Sequence, residues 1–153
     1  MAGQGADNDF PREIEMFGWN KRPLLLAAWV AGTCFAGLAH AADVKVMLSG
    51  DSEVPPVKTA AMGEGMITIA DDGTVSGSVS TKGIEGTMAH IHMAAPGKNG
   101  PVIVKLNKDG NTFKVPAGSK LDADQLKAFK AGELYVNVHS ADNKGGEIRG
   151  QLK

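Results

Sequence analysis

From residue 44 onward, apolar and polar residues alternate with a period of two. Val44, Val46 and Leu48 are separated by Lys45, Met47 and Ser49, the pattern of a half-buried strand. Ser52 to Val57 breaks it, because Pro55 and Pro56 cannot donate to a central ladder. Residues 65–70 and 74–80 follow as a pair around Asp71-Asp72-Gly73, whose glycine suits the positive φ of a hairpin turn. A strand is expected over Thr87 to Met93, then the Gly/Pro-rich loop Ala94 to Pro101. Val102 to Leu106 and Thr112 to Val115 flank a second hairpin signal, Asn107 to Asn111. Leu134 to His139 and Glu147 to Leu152 are the last two strands, separated by Ser140 to Gly146.

One segment carries a helical signal instead. Asp122 is an N-cap with Gln125 three residues on, the spacing of a capping box. Leu126 and Phe129 share a face, and Gly132 supplies a left-handed end. Short strands at close spacing, with turns rich in Gly, Asp and Asn, predict an all-β fold. It is an antiparallel, Greek-key-like β-sandwich of about seven to eight short strands, with one short helix plugging an end.

The first 41 residues follow neither pattern. Leu24 to Leu38 is uncharged, preceded by Lys21 and Arg22 and followed by Ala39-His40-Ala41. A basic flank, a short apolar core and small residues at −3 and −1 describe a secretory signal peptide cleaved after Ala41. The run is shorter than the roughly 20 residues a membrane span needs. Met16 would open a more ordinary leader than Met1, whose first 15 residues are polar and acidic. Cys34 lies within the apolar run, but Ala31-Gly32-Thr33 before it does not make a lipoprotein processing site.

Composition matters mainly through this division. The 153 residues carry 16 Lys+Arg against 17 Asp+Glu, with no basic footprint for nucleic acid. Removal of the leader leaves 112 residues, 42–153, with 13 basic and 13 acidic side chains, no cysteine, and Phe113, Phe129 and Tyr135 as the aromatics. A periplasmic or secreted domain of this kind has no disulfide to stabilise it. Nor does it have a thiol nucleophile, a Gly-x-Ser-x-Gly elbow or a phosphate loop, so no catalytic apparatus is indicated.

The remaining chemistry lies in three histidines. Alternation sends Ala89, Ile91 and Met93 to the core and Met88, His90 and His92 to the other face. It likewise sends Val136 and Val138 inward and Tyr135, Asn137 and His139 outward. A His-x-His pair places two imidazoles about 7 Å apart at Cα, close enough to converge on one ion. If the two strands are neighbours, His139 joins them. Three imidazoles suit copper or zinc, and spacing does not separate the two. A thioether from Met88 as fourth ligand, or from Met93 at the strand end, would tilt the choice to copper. Glu53, ahead of the two prolines, is expected to be a solvated loop carboxylate.

Several motifs in order resemble the CHRD domain. They are Leu48-Ser49-Gly50 with Glu53-Val54-Pro55-Pro56-Val57, Ala89-His90-Ile91-His92 with Gly100-Pro101-Val102, Tyr135 to His139, and Gly146 to Leu152. The resemblance covers roughly Val44 to Lys153. It implies a compact extracytoplasmic β-domain, found in chordin and as a stand-alone exported bacterial protein, and does not by itself imply an enzymatic activity. A looser likeness is to the copper/zinc superoxide dismutase sandwich, in which His90 and His92 would match a His-x-His copper pair. With only His139 besides, the likeness extends at most to a mononuclear site.

The sequence thus supports an exported copper-binding domain for tolerance, delivery or buffering, with the metal ion as its partner and a homodimer or protein partner as an addition. It also leaves open a non-catalytic interaction module of the cell envelope, and a small mononuclear copper oxidoreductase.

Overall fold

Alternation alone fixes which side of each strand faces inward. In a computed structural model, which describes residues 40–153, eight strands follow the expected order. They are β1 Ala41–Ser49, β2 Met62–Ala70, β3 Val75–Lys82, β4 Met88–Met93, β5 Val102–Asp109, β6 Thr112–Lys114, β7 Leu134–His139 and β8 Ile148–Leu152. A short 3-10 turn, Gly50–Ser52, follows β1, and the helix α1 spans Ala123–Lys130 between β6 and β7. Residues 1–39 of the expected 41-residue leader, with its apolar run and Cys34, lie outside the described residues, and its last residue, Ala41, opens β1.

All neighbouring strands are antiparallel, in the order β1-β2-β3-β6-β5-β4-β7-β8. The two layers of the expected sandwich are continuous. Ser49 pairs with Arg149, joining β1 to β8 and closing the sheet into a barrel. Closure removes the free edges that an open sheet would present. Strands β4, β5 and β6 run consecutively, and β7 returns after the helical crossover to lie beside β4, which is a Greek key.

The interior is aliphatic. Val46, Leu48, Ile67, Val79, Ile91, Val136, Val138 and Ile148 are buried together, with Phe113 as the one fully buried aromatic of this core. The Asp122–Gln125 capping box forms as expected, the Asp122 carboxylate accepting from the Gln125 N–H and the Gln125 side chain accepting from the Asp122 N–H. Leu126, Ala128 and Phe129 of the helix pack against the core, and Gly132 takes a φ of 72° at its end. Among the described residues, no helix is long and apolar enough to cross a membrane.

The outer surface divides into two unlike regions. Over β1, β2 and β3 the outward side chains stand in solvent. Over β7, β8 and the His92 end of β4 they are largely covered, by three loops, 50–61, 94–101 and 140–147. All six residues of β7 are buried, whichever way they point.

Candidate metal centre

Strands β4 and β7 are adjacent, so the condition for convergence of the histidines is met. Met88 lies directly across from His139, His90 from Asn137 and His92 from Tyr135. Directly opposed residues share a sheet face. One nitrogen from each of His90, His92 and His139 lies within 4.8 Å of the others. A register shift in the β4–β5 pairing falls between Ile91 and His92. Bulges of this kind bend a strand and re-aim its side chains.

Backbone carbonyls orient two of the histidines and fix the tautomer of His139. His92 Nδ1 is 3.0 Å from the Gly100 carbonyl and His139 Nδ1 is 2.9 Å from that of Lys144. A carbonyl only accepts, so His139 Nδ1 carries hydrogen, whereas His92 meets an acceptor at both nitrogens, with Asn137 Oδ1 2.9 Å from its Nε2. In the neutral His139 ring the lone pair is therefore on Nε2. His90 Nδ1 lies 3.0 Å from that atom and donates to it. Burial, the His139 and His92 rings and the Lys105 ammonium push His90 down to about 4. Burial also lowers His139, opposed by its bond to Lys144 and reinforced by His92. Neutral imidazole is the form that ligates a metal.

A buried polar layer surrounds the histidines. His92 stacks on Tyr135, with ring centroids 4.8 Å apart and planes 4° from parallel. The Arg149 guanidinium covers that tyrosine, its Cζ 3.4 Å from the ring centroid. Arg149 is only 2% exposed, and donates to the Lys98 carbonyl at 2.8 Å and to Asn99 Oδ1 at 3.2 Å. Asn99 in turn donates to the Val54 carbonyl at 2.7 Å, joining two of the covering loops. The third is tied in by Glu147, which accepts from Thr59, Ser140 and Asn143. Burial works to raise the Glu147 carboxyl, but those three donors outweigh it and hold it below the ordinary range.

Glu53 is not the solvated loop carboxylate that its sequence context suggests. It is 5% exposed, because the 3-10 turn and the Val57 N–H bond back to Gly50 fold the loop over the sheet. Its Oε1 has no hydrogen-bond partner. Burial pushes this carboxyl up, against the Val54 N–H, the Arg149 charge and the Asn137 amide. Gly146 makes the close packing feasible, since a Cβ there would overlap the Glu53 carboxylate and come 2.6 Å from Asn137 Nδ2. Asn137 lies 2.9 Å from His92 Nε2 through its Oδ1, linking this buried acid to the histidine cluster.

The expected site residues are thus distributed unevenly. The structure brings His90, His92 and His139 together. Met88 shares their face but is half-exposed, and Met93 packs against the hydrophobic core. Tyr135, Asn137, Arg149 and Glu53 complete the surroundings without having been singled out as a network. Alternation along Ile148–Leu152 is the signal that could have found Arg149, since it places this residue on the face of Asn137, its register partner.

Comparison with known proteins accords with this architecture. The CHRD domain family profile matches residues 44–152, and the chain belongs to that family. It is also similar to chordin of Xenopus laevis, with 28% identity over 111 residues, covering 69% of this chain and 12% of chordin. The chain therefore corresponds to a small part of that relative's length. No solved structure matches it.

Proposed function

We propose that this member of the CHRD domain family is an exported metal-binding protein whose His90, His92 and His139 hold a single copper ion. The observation that carries the reading is the approach of three imidazole nitrogens to within 4.8 Å of one another. Two nitrogens bound tetrahedrally at about 2.0–2.1 Å from a metal stand about 3.3 Å apart. His90 Nδ1 and His139 Nε2 are 3.0 Å apart, so the ion would take the place of the proton they share with only a small adjustment. The Gly100 and Lys144 carbonyls are the outer partners that hold ligating imidazoles in orientation.

Three imidazoles serve zinc as well as copper. Met88, across from His139 on the same face, would add a thioether and favour copper, particularly Cu(I). Storage, delivery or buffering of copper outside the cytoplasm is the role that such a site would serve. The test is titration of the metal-free protein with Cu(II) and Zn(II), beside a His90→Ala/His92→Ala variant. One tightly bound equivalent in the parent and its loss in the variant is the expected result; equal binding in both would remove the proposal. A non-catalytic interaction module of the cell envelope, the competing reading, predicts no metal in protein purified from its native compartment.

A further inference from the structure

The outer face of β1 and β2 presents a second concentration of soft ligands. Met47, Met62 and Met66 are 60%, 59% and 46% exposed, although methionine is ordinarily used to fill cores. Their places in the ladder are fixed. Met47 pairs with Glu64, Ser49 with Met62, and Lys45 with Met66. Met62 and Met66 therefore flank Glu64 along β2, while Met47 lies across from it and diagonal to both. Diagonal neighbours stand about 7–8 Å apart at Cα, within reach of long side chains, whereas Met62 and Met66, four residues apart on one strand, stand about 13 Å apart and cannot share an ion. Met47, Met62 and Glu64 also line one shallow groove, together with Ser80 and Lys82.

Neither packing nor propensity accounts for this placement. Regular strands favour β-branched and aromatic residues, and the three side chains lie outside the hydrophobic core. What they share is a thioether, a soft neutral donor that selects Cu(I) over harder cations. We propose that Met47 and Met62 form a Cu(I)-binding site in this groove on the uncovered face, with the Glu64 carboxylate beside it balancing the ion's charge. Lys45 and Lys82 border the cluster as ammonium groups and are not ligands. The site is separated from the histidines by β8 on one side of the barrel and by β3, β6 and β5 on the other. It does not depend on the histidine reading.

The experiment keeps the two sites distinct. In a His90→Ala/His92→Ala background, the full chain is titrated anaerobically with Cu(I) against a chromogenic Cu(I) chelator, and with Ag(I) as a redox-inert probe. The methionine methyl resonances are followed by carbon-13 NMR. The expected result is saturable binding of one equivalent that shifts Met47 and Met62 together and leaves Met93 unmoved. A Met47→Leu/Met62→Leu variant keeps the apolar surface and lacks sulfur there, so it should lose that equivalent while circular dichroism stays the same. Unchanged Cu(I) uptake in the leucine variant overturns the proposal. So does the absence of saturable binding in the parent, an outcome that leaves the face a purely apolar contact surface.

Discussion

Two stretches of one barrel wall carry opposite solutions to the same problem. Over β7, β8 and the His92 end of β4, loops largely cover the outward side chains and bury polar groups, including Arg149, Glu53 and two of the three clustered histidines. Over β1 and β2, among the described residues, the outward side chains stand exposed, with three methionines set among Asp43, Lys45 and Glu64. Depth within the fold does not separate core from function here. The covered face gains a second interior outside the barrel, held by hydrogen bonds rather than by apolar contact. Such a layer is costly when incomplete, because each unpaired buried group retains its desolvation penalty. The uncovered face has no such interdependence.

The sharpest way to break the contrast is Arg149→Ala. It removes a buried cation from the Tyr135 ring, leaves the Lys98 and Asn99 acceptors without their donor, and takes away the positive charge near buried Glu53. A loss of about 3–5 kcal/mol is expected in urea denaturation, the range for breaking a buried charged pairing. Arg149→Lys should recover little of it, since an ammonium lacks the planar fork that serves both acceptors. Gly146→Ala comes next. Its φ of 129° and the crowding by Glu53 and Asn137 should cost about 1–3 kcal/mol, with a change in the His92 ring resonances through Asn137.

The acid limb of metal-free stability gives a smaller, signed effect. The folded value of His90 is about 4 against 6.5 in the unfolded chain. Between those values the unfolded chain binds a proton that the folded chain does not. Stability should therefore fall as pH drops from 6.5 towards 4 and stay level above that window. His139, lowered by burial, acts in the same direction. Glu53, raised by burial, acts oppositely above 4.5. Denaturation midpoints across pH should show a shallower acid loss for His90→Gln, and a steeper one for Glu53→Gln. A His90→Gln profile that matches the parent would remove the argument. The smallest effect is expected on the other face. Met62→Leu and Met66→Leu should change stability by no more than about 0.5 kcal/mol, since neither side chain packs within the core.

Much of this was legible in the sequence. The period of two placed Val44, Val46 and Leu48 inside, and the same rule put His90, His92 and His139 on one face before their strands were known to be neighbours. Asp122 and Gln125 announced the helix start correctly. The alternation rule reports direction but not cover, and there it stopped. Whether an outward residue meets water depends on where loops return, and loops such as Glu53-Val54-Pro55-Pro56 read as solvent-exposed from composition alone. Glu53 is buried for that reason, against the expectation from its context. Arg149 and Asn137 carry polar side chains, which a pattern of apolar and polar positions assigns to the surface. Barrel closure rests on a single pairing, Ser49 with Arg149, and no local signal encodes it.

The carbonyls of Gly100 and Lys144 set the orientation of two histidines, and both belong to the backbone of connecting loops. Side-chain replacement at Lys144 leaves its carbonyl in place, so the identity of this residue carries little of the information that aims His139. The length of the 140–147 segment carries far more. Adding or deleting one residue there would move the acceptor away from the ring and free it to rotate. The histidine cluster is in this sense tuned by chain length at a distance from its own strands. Its geometry should tolerate side-chain replacement at Lys144 and respond sharply to insertion.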